Sequence, residues 1–172
     1  MQIVPYVEID GAWTLKDSFV KTLWDKMEAE GTAKRVFCTG MVTDRDRFLA
    51  FMKSSKTVVL TQWDNDECVF IGWLNNISQH TAYAHFCCFK SIWGEQSEEA
   101  LKNALERWFA FKDSEGELMF DVLCGAIPET NKLAIRLAER CGITKLGTIP
   151  DYIRDAYTGV KTGMTIVYIR RN

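Results

Sequence analysis

What the 172-residue chain lacks narrows it first. It has no excess of charge of either sign: 21 Lys and Arg stand against 23 Asp and Glu, a net charge of −2. That balance leaves no electrostatic footprint for nucleic acid or an anionic membrane, and binding to either would need a local basic patch. The compact basic clusters, Lys34-Arg35, Arg45 with Arg47, and Arg170-Arg171, are read as solvated surface charge. No apolar run approaches bilayer-spanning length, and no basic-then-apolar leader opens the chain. There is no Cys-x-x-Cys, and the 2 histidines, His80 and His85, lie five apart on an expected strand and so point to opposite faces. No metal site is expected from that inventory. The 6 cysteines lack the short regular spacings of a disulfide scaffold, and most sit in apolar runs. Reduced thiols and a cytoplasmic setting are the expectation. Repeats, linkers and low-complexity tracts are also missing.

What is present is apolar content of 47%, enough to bury one sizeable core, so residues 1–172 are expected to form a single domain. After a short apolar stretch at 3–9, Thr14 can cap a helix with a stripe of Leu15, Phe19, Leu23 and Met27, ending at Gly31. A second helix follows Thr43 and Asp44 and carries Phe48, Leu49, Phe51 and Met52. Strand patterning then takes over. Residues 57–63 and 68–74 flank the turn cluster Asp64-Asn65-Asp66 as a hairpin, and 81–89 is apolar on both faces, as a central strand would be. From Ser97 onward strands and helices alternate. Ser97 caps a helix with Leu101, Ala104, Leu105, Trp108 and Phe109 on one face; a strand spans 118–127; short strands at 145–149 and 164–169 close the chain.

The most informative segment is 128–142. A buried-looking strand ends at Pro128, and a compact helix follows from Asn131, with Leu133, Ala134, Leu137, Ala138 and Cys141 on one face and Gly142 supplying the left-handed stop. The order of Asn131, Ala134, Leu137 and Gly142 resembles the helix near the end of the GNAT superfamily of acetyl-CoA-dependent N-acetyltransferases. The element order resembles that fold over nearly the whole chain, and the ribosomal-protein and amino-group type within it. The resemblance implies an α+β (α/β GNAT-like) domain: a central mixed, mostly antiparallel sheet, helices on both faces and a splayed central strand pair.

In that family a loop reading roughly Trp-Gly-x-Gly precedes a helix and binds the cofactor's diphosphate. Here the place holds Ile92-Trp93-Gly94-Glu95-Gln96-Ser97. Such a loop works by turning several backbone N–H groups toward the anion at a helix N-terminus, with glycine permitting close approach. By resemblance, Cys88 and Phe89 would supply a strand edge to the pantetheine arm of acetyl-CoA (or CoA). Trp93 would open the cradle formed by Gly94, Glu95, Gln96 and Ser97, and Asn131 would contact the arm. Two positions depart from the pattern. Gln96 stands where the second glycine belongs, in a first turn that carries Glu95, Glu98 and Glu99, each costing on the order of 1 kcal/mol beside a diphosphate if unscreened. Ala138 stands where many relatives place a tyrosine that protonates the leaving thiolate, which moves that role to other groups such as Tyr152 or Tyr157, or to water.

For catalysis the residues of choice are His85, whose imidazole suits proton removal near neutral pH, and Tyr83, two residues away on the same face. A histidine between Ala84 and Phe86 is more often a core residue held by a hydrogen bond. Adjacent Cys87 and Cys88 point to opposite sides of a strand and so pack rather than pair. Transfer of an acetyl group from acetyl-CoA to a primary amine is therefore the expected activity, with a small-molecule or protein amine as acceptor. Neither nucleic acid nor membrane is expected as partner, and a homodimer stays open. The alternative is a GNAT-fold protein without catalysis that serves binding or assembly, as some phage-encoded proteins do; a weaker one is a regulatory module that senses an acyl-CoA. The acceptor pocket would be built by the first two helices and the loop at 151–163, where Asp151, Arg154 and Asp155 carry both charge signs.

Overall fold

The structure, a computed structural model, describes residues 1–171. Seven strands form one sheet in the order β1 (Gln2–Tyr6), β4 (Val58–Asp64), β5 (Glu67–Ser78), β6 (Thr81–Cys88), β7 (Val122–Pro128), β9 (Lys161–Arg170) and β8 (Thr144–Arg154). A two-stranded ribbon of β2 (Glu8–Ile9) and β3 (Ala12–Trp13) stands apart. Every neighbouring pair in the large sheet is antiparallel except β6 and β7. The β4–β5 hairpin turns at Asn65, whose φ of 52° is the left-handed backbone that asparagine tolerates.

Alternation along the strands divides the interior into two cores. Val59, Ile71, Trp73 and Cys87 face the layer made by α1 (Asp17–Ala29), α2 (Ala33–Val36) and α3 (Arg45–Met52). Leu60, Phe70, Leu74 and Cys88 face α4 (Glu95–Phe109), with α5 (Lys132–Arg140) on the same side. Adjacent residues thus serve opposite layers, as the two-residue period of a strand requires. The first core is aromatic: Phe37 stacks on Trp73 with centroids 5.5 Å apart, and Trp24 and Phe48 lie 5.6 Å apart. In the second, Gln62 Nε2 donates to Ala100 O at 2.6 Å, which ties β4 to α4 through a buried polar group. Asp44 caps α3 by accepting from the amides of Asp46 and Arg47.

The parallel contact of β6 with β7 is short. It spans Thr81↔Val122, Ala82↔Leu123 and Tyr83↔Cys124 and then stops. Beyond Tyr83, β6 continues on β5 as far as Phe70↔Cys88, while β7 continues on β9 as far as Pro128↔Met164. Each strand therefore stays bonded to its own half of the sheet while the two part from one another. The side of residues 84–88 that faces β7 is left without a strand partner.

Several boundaries differ from the sequence expectation. Thr14 does not cap α1; its hydroxyl donates to Pro5 O at 2.7 Å, and the helix opens at Asp17. Ser97 does not cap α4 either, since the helix opens two residues earlier with Gly94 at the cap position. The short α2 and the β2–β3 ribbon carry no strong pattern and were not expected. Strand β7 opens at Val122 rather than 118, because Leu118 pairs with Lys112 in an isolated bridge. Strand β8 extends to Arg154, past the expected 149, by accommodating two irregularities against β9.

Candidate functional site

The parting of β6 and β7 opens a cleft of about 280 Å³. One wall is the free edge of β6, where Phe86, Cys87 and Cys88 contribute from both faces of the strand. The opposite wall is α5, with Leu133, Ala134 and Leu137. The mouth is framed by Trp93, Gly94 and Ser97 at the start of α4, and by Thr32, Arg35 and Val36 of the α2 turn.

Gly94 makes the mouth. Its φ of 109° and ψ of −138° lie in a region reserved for glycine, and a Cβ there would meet nothing within 4 Å, so backbone lies bare to incoming groups. The first-turn amides of Glu95 and Gln96 have no acceptor within the helix. Ser97 turns inward, donating its hydroxyl to Gly94 O at 2.6 Å. Trp93 is 47% exposed, yet its indole N–H donates to Cys88 O at 3.0 Å, so the ring is held against the end of β6. Asn131 caps α5 through Oδ1, which accepts from Ala134 N at 3.3 Å, leaving the amide –NH₂ end to the cleft that the residue lines.

Three arginines complete the lining: Arg35, Arg136 and Arg140. Arg140 reaches Glu98 at 3.1 Å. Arg35 and Arg136 have no carboxylate in ion-pair range among the described residues. Burial pushes the thiols of Cys88 and Cys141 above the ordinary range, so both stay protonated at neutral pH. An apolar channel joined to bare helix-terminal amides and arginines suits a ligand with an apolar or amide-bearing arm and several phosphates. CoA has that chemistry, and the residues present fit it.

No protein-family model and no curated protein matches the sequence. Solved structures do match in three dimensions. Spermidine N-acetyltransferase of Vibrio cholerae, in complex with CoA and spermine, superposes with a TM-score of 0.69 at 12% identity, over 98% of this chain and 95% of that one. Ribosomal-protein-S5-alanine acetyltransferase of Vibrio fischeri gives 0.68 at 11% identity, over 92% and 91%. The protein yncA of Salmonella typhimurium, solved with its cofactor acetyl-CoA, gives 0.67 at 12% identity, over 99% and 94%. The chain has the GNAT fold. The mixed sheet, the helices on both faces and the splayed pair expected from sequence are all present.

Within the GNAT fold the expected site residues separate into groups. Cys88, Trp93, Gly94, Ser97 and Asn131 come together around the cleft. Glu95 faces a separate acidic groove on α4, and Gln96 is exposed. Phe89 is fully buried in the first core, and its amide donates to Val69 O at 3.0 Å, so β5 already engages that edge. Tyr83 lies on β6 at the last paired position before the strands part and is 37% exposed. His85 lies two residues on, stacked on Trp73 with centroids 5.6 Å apart, and its Nε2 bonds Asn75 Oδ1 at 3.0 Å. Burial lowers its pKa to about 4, so the ring is neutral through the physiological range. Neither Tyr83 nor His85 lines the cleft itself; both belong to the α1–α3 face of the sheet. Ala138 is buried, Tyr157 donates to Val42 O at 3.5 Å, Tyr152 is 57% exposed on β8, and neither tyrosine lines the cleft.

The sequence pattern does not single out Arg35, Arg136 and Arg140, and Lys34-Arg35 reads as solvated charge. One signal was available. Arg136 and Arg140 stand four apart on α5 and so share a face of the helix that follows Asn131.

Proposed function

We propose that the chain is an N-acetyltransferase that moves an acetyl group from acetyl-CoA to a primary amine. The observation that carries this reading is the cleft between the parted strands, with bare amides and arginines at its mouth. Acetyl-CoA, when bound, supplies a thioester-activated acetyl group. The amides of Glu95 and Gln96, with Arg35 and Arg136, would hold its phosphates. Asn131 would donate its side-chain –NH₂ to the arm, and Leu133, Ala134 and Leu137 would exclude water from it. The free edge of β6 at residues 84–88 offers backbone groups that a strand would otherwise take.

The acceptor would approach from the α1–α3 face, past Tyr83 and His85, where the sheet opens. The Vibrio cholerae structure was solved with CoA and spermine, which supports a small-molecule amine as the acceptor class. His85 offers a neutral ring nitrogen as proton acceptor, but a pKa of about 4 makes it a weak one. Rate acceleration then rests on alignment of amine and thioester, and turnover follows the fraction of acceptor present as free amine. The free cysteines of the described residues support a reducing, cytoplasmic setting.

Calorimetry with CoA and acetyl-CoA tests the cofactor, and thiol release with an amine panel tests transfer. One-site binding below millimolar, with amine-dependent thiol release, is expected; no binding at millimolar CoA sinks the reading. Ala138, buried where many relatives carry the leaving-group tyrosine, favours a second reading in which the cleft holds CoA without turnover. Binding without thiol release from any amine would select it.

A further inference from the structure

This inference rests on the reading of the cleft as a CoA site. The first turn of α4 carries Glu95 and Glu98, with Glu99 the next residue, at the mouth of that site, and the three are not equivalent. Glu95 and Glu99 are exposed. Glu98 is half-buried, with its side chain 24% accessible, and it receives Arg140 Nη1 at 3.1 Å. A second contact fixes the pair: the Cys141 thiol donates to the Glu98 carbonyl at 3.6 Å, tying the end of α5 to the start of α4. Arg140 borders both the cleft and the acidic groove of Glu95, Glu98, Glu99 and Glu106. Arg136, one turn earlier on α5, lines the cleft alone.

We propose that Glu98 holds Arg140 on the groove side and thereby sets the affinity of the cleft for its phosphate-bearing ligand below what its donors would give. The carboxylate acts twice. It repels phosphate at the helix terminus, and it occupies a guanidinium that would otherwise turn to the ligand. A carboxylate in the first helical turn also favours the helix dipole. Helix stability and ligand affinity therefore pull in opposite directions at this residue.

The test is titration of CoA at low ionic strength into the native chain, E98Q, R140Q, the E98Q/R140Q double variant and E106Q, with melting temperatures of the ligand-free proteins. E98Q is expected to bind roughly 3- to 10-fold tighter while melting slightly lower, a combination that loss of structure alone does not produce. E106Q makes the same change in net charge on the same helix and is expected to stay within about two-fold of native. The double variant, compared with R140Q, is expected to keep only the smaller part of the gain that comes from lifting the repulsion, because no guanidinium is left to release. An E98Q protein that binds CoA no tighter than native overturns the proposal, and so does a gain fully retained without Arg140. If neither the native chain nor E98Q binds CoA at millimolar concentration, the underlying assignment of the cleft falls instead.

Discussion

Asn131 uses the two ends of one amide for two tasks. Its oxygen accepts from Ala134 N and caps α5, while its nitrogen is left to the cleft. Asn131→Asp keeps the cap and removes the donor; Asn131→Ala removes both. The alanine variant is expected to lose about 1 kcal/mol of stability, as cap deletions do, and the aspartate variant to keep native stability but bind CoA more weakly. Thermal melts with and without CoA separate the two. At His85 the folded pKa of about 4 lies below the ordinary 6.5. The unfolded chain therefore binds the proton first. Stability from this group is complete above pH 6.5 and is lost as pH falls toward 4, by up to about 3 kcal/mol. The difference in denaturant stability between native and His85→Gln should change across that window and be flat above it. The residue-level chemistry was unevenly legible. Asn131 and Gly94 announce themselves by position before a helix. The arginines do not, because their convergence depends on where α2, α4 and α5 meet.

At the scale of elements, the sheet uses glycine at position 72 for room rather than for φ. A Cβ at Gly72 would lie 2.8 Å from Phe70 and 2.9 Å from the ring of Trp108, both fully buried. Neither ring can move without disturbing the α4 layer. Gly72→Ala is expected to cost about 1–3 kcal/mol of stability in chemical denaturation, with CoA binding preserved once folded. Elements with strong periodicity are readable in the sequence itself: the stripe of α4, the hairpin around Asn65 and the helix after Asn131. Terminal positions were not. Thr14 and Ser97 both look like caps, but each spends its hydroxyl on a backbone carbonyl, Pro5 O and Gly94 O. The extension of β8 was hidden because Pro150 and Asp151, the latter at a φ of 53°, read as loop residues yet sit at an irregularity on an edge strand.

Across the whole molecule, one sheet separates two cores, and the cysteines are distributed over both. Cys68 and Cys87 belong to the first core, Cys88 and Cys141 to the second, and burial raises each thiol above its ordinary pKa. Cys124, on β7, is only half-buried. Alkylation at neutral pH is therefore expected to spare the native chain, with slow labelling at Cys124 first, and to reach all 6 thiols once the chain is unfolded. Mass spectrometry of time points reads the order. The strand order and the splayed pair were accessible through family resemblance, whereas the division of the cores required the registers.

Trp93 gives the cleft a built-in optical reporter. Trp24, Trp73 and Trp108 are sealed in the interior and Trp13 and Trp63 are half-buried, while the indole of Trp93 stands at the mouth as the one exposed tryptophan of the described residues, pinned by its N–H with Lys90 Nζ 5.7 Å over its ring. Iodide should quench its emission readily in the free protein. A nucleotide seated beside it would shield the ring from iodide, so occupancy can be followed in unlabelled protein by light alone.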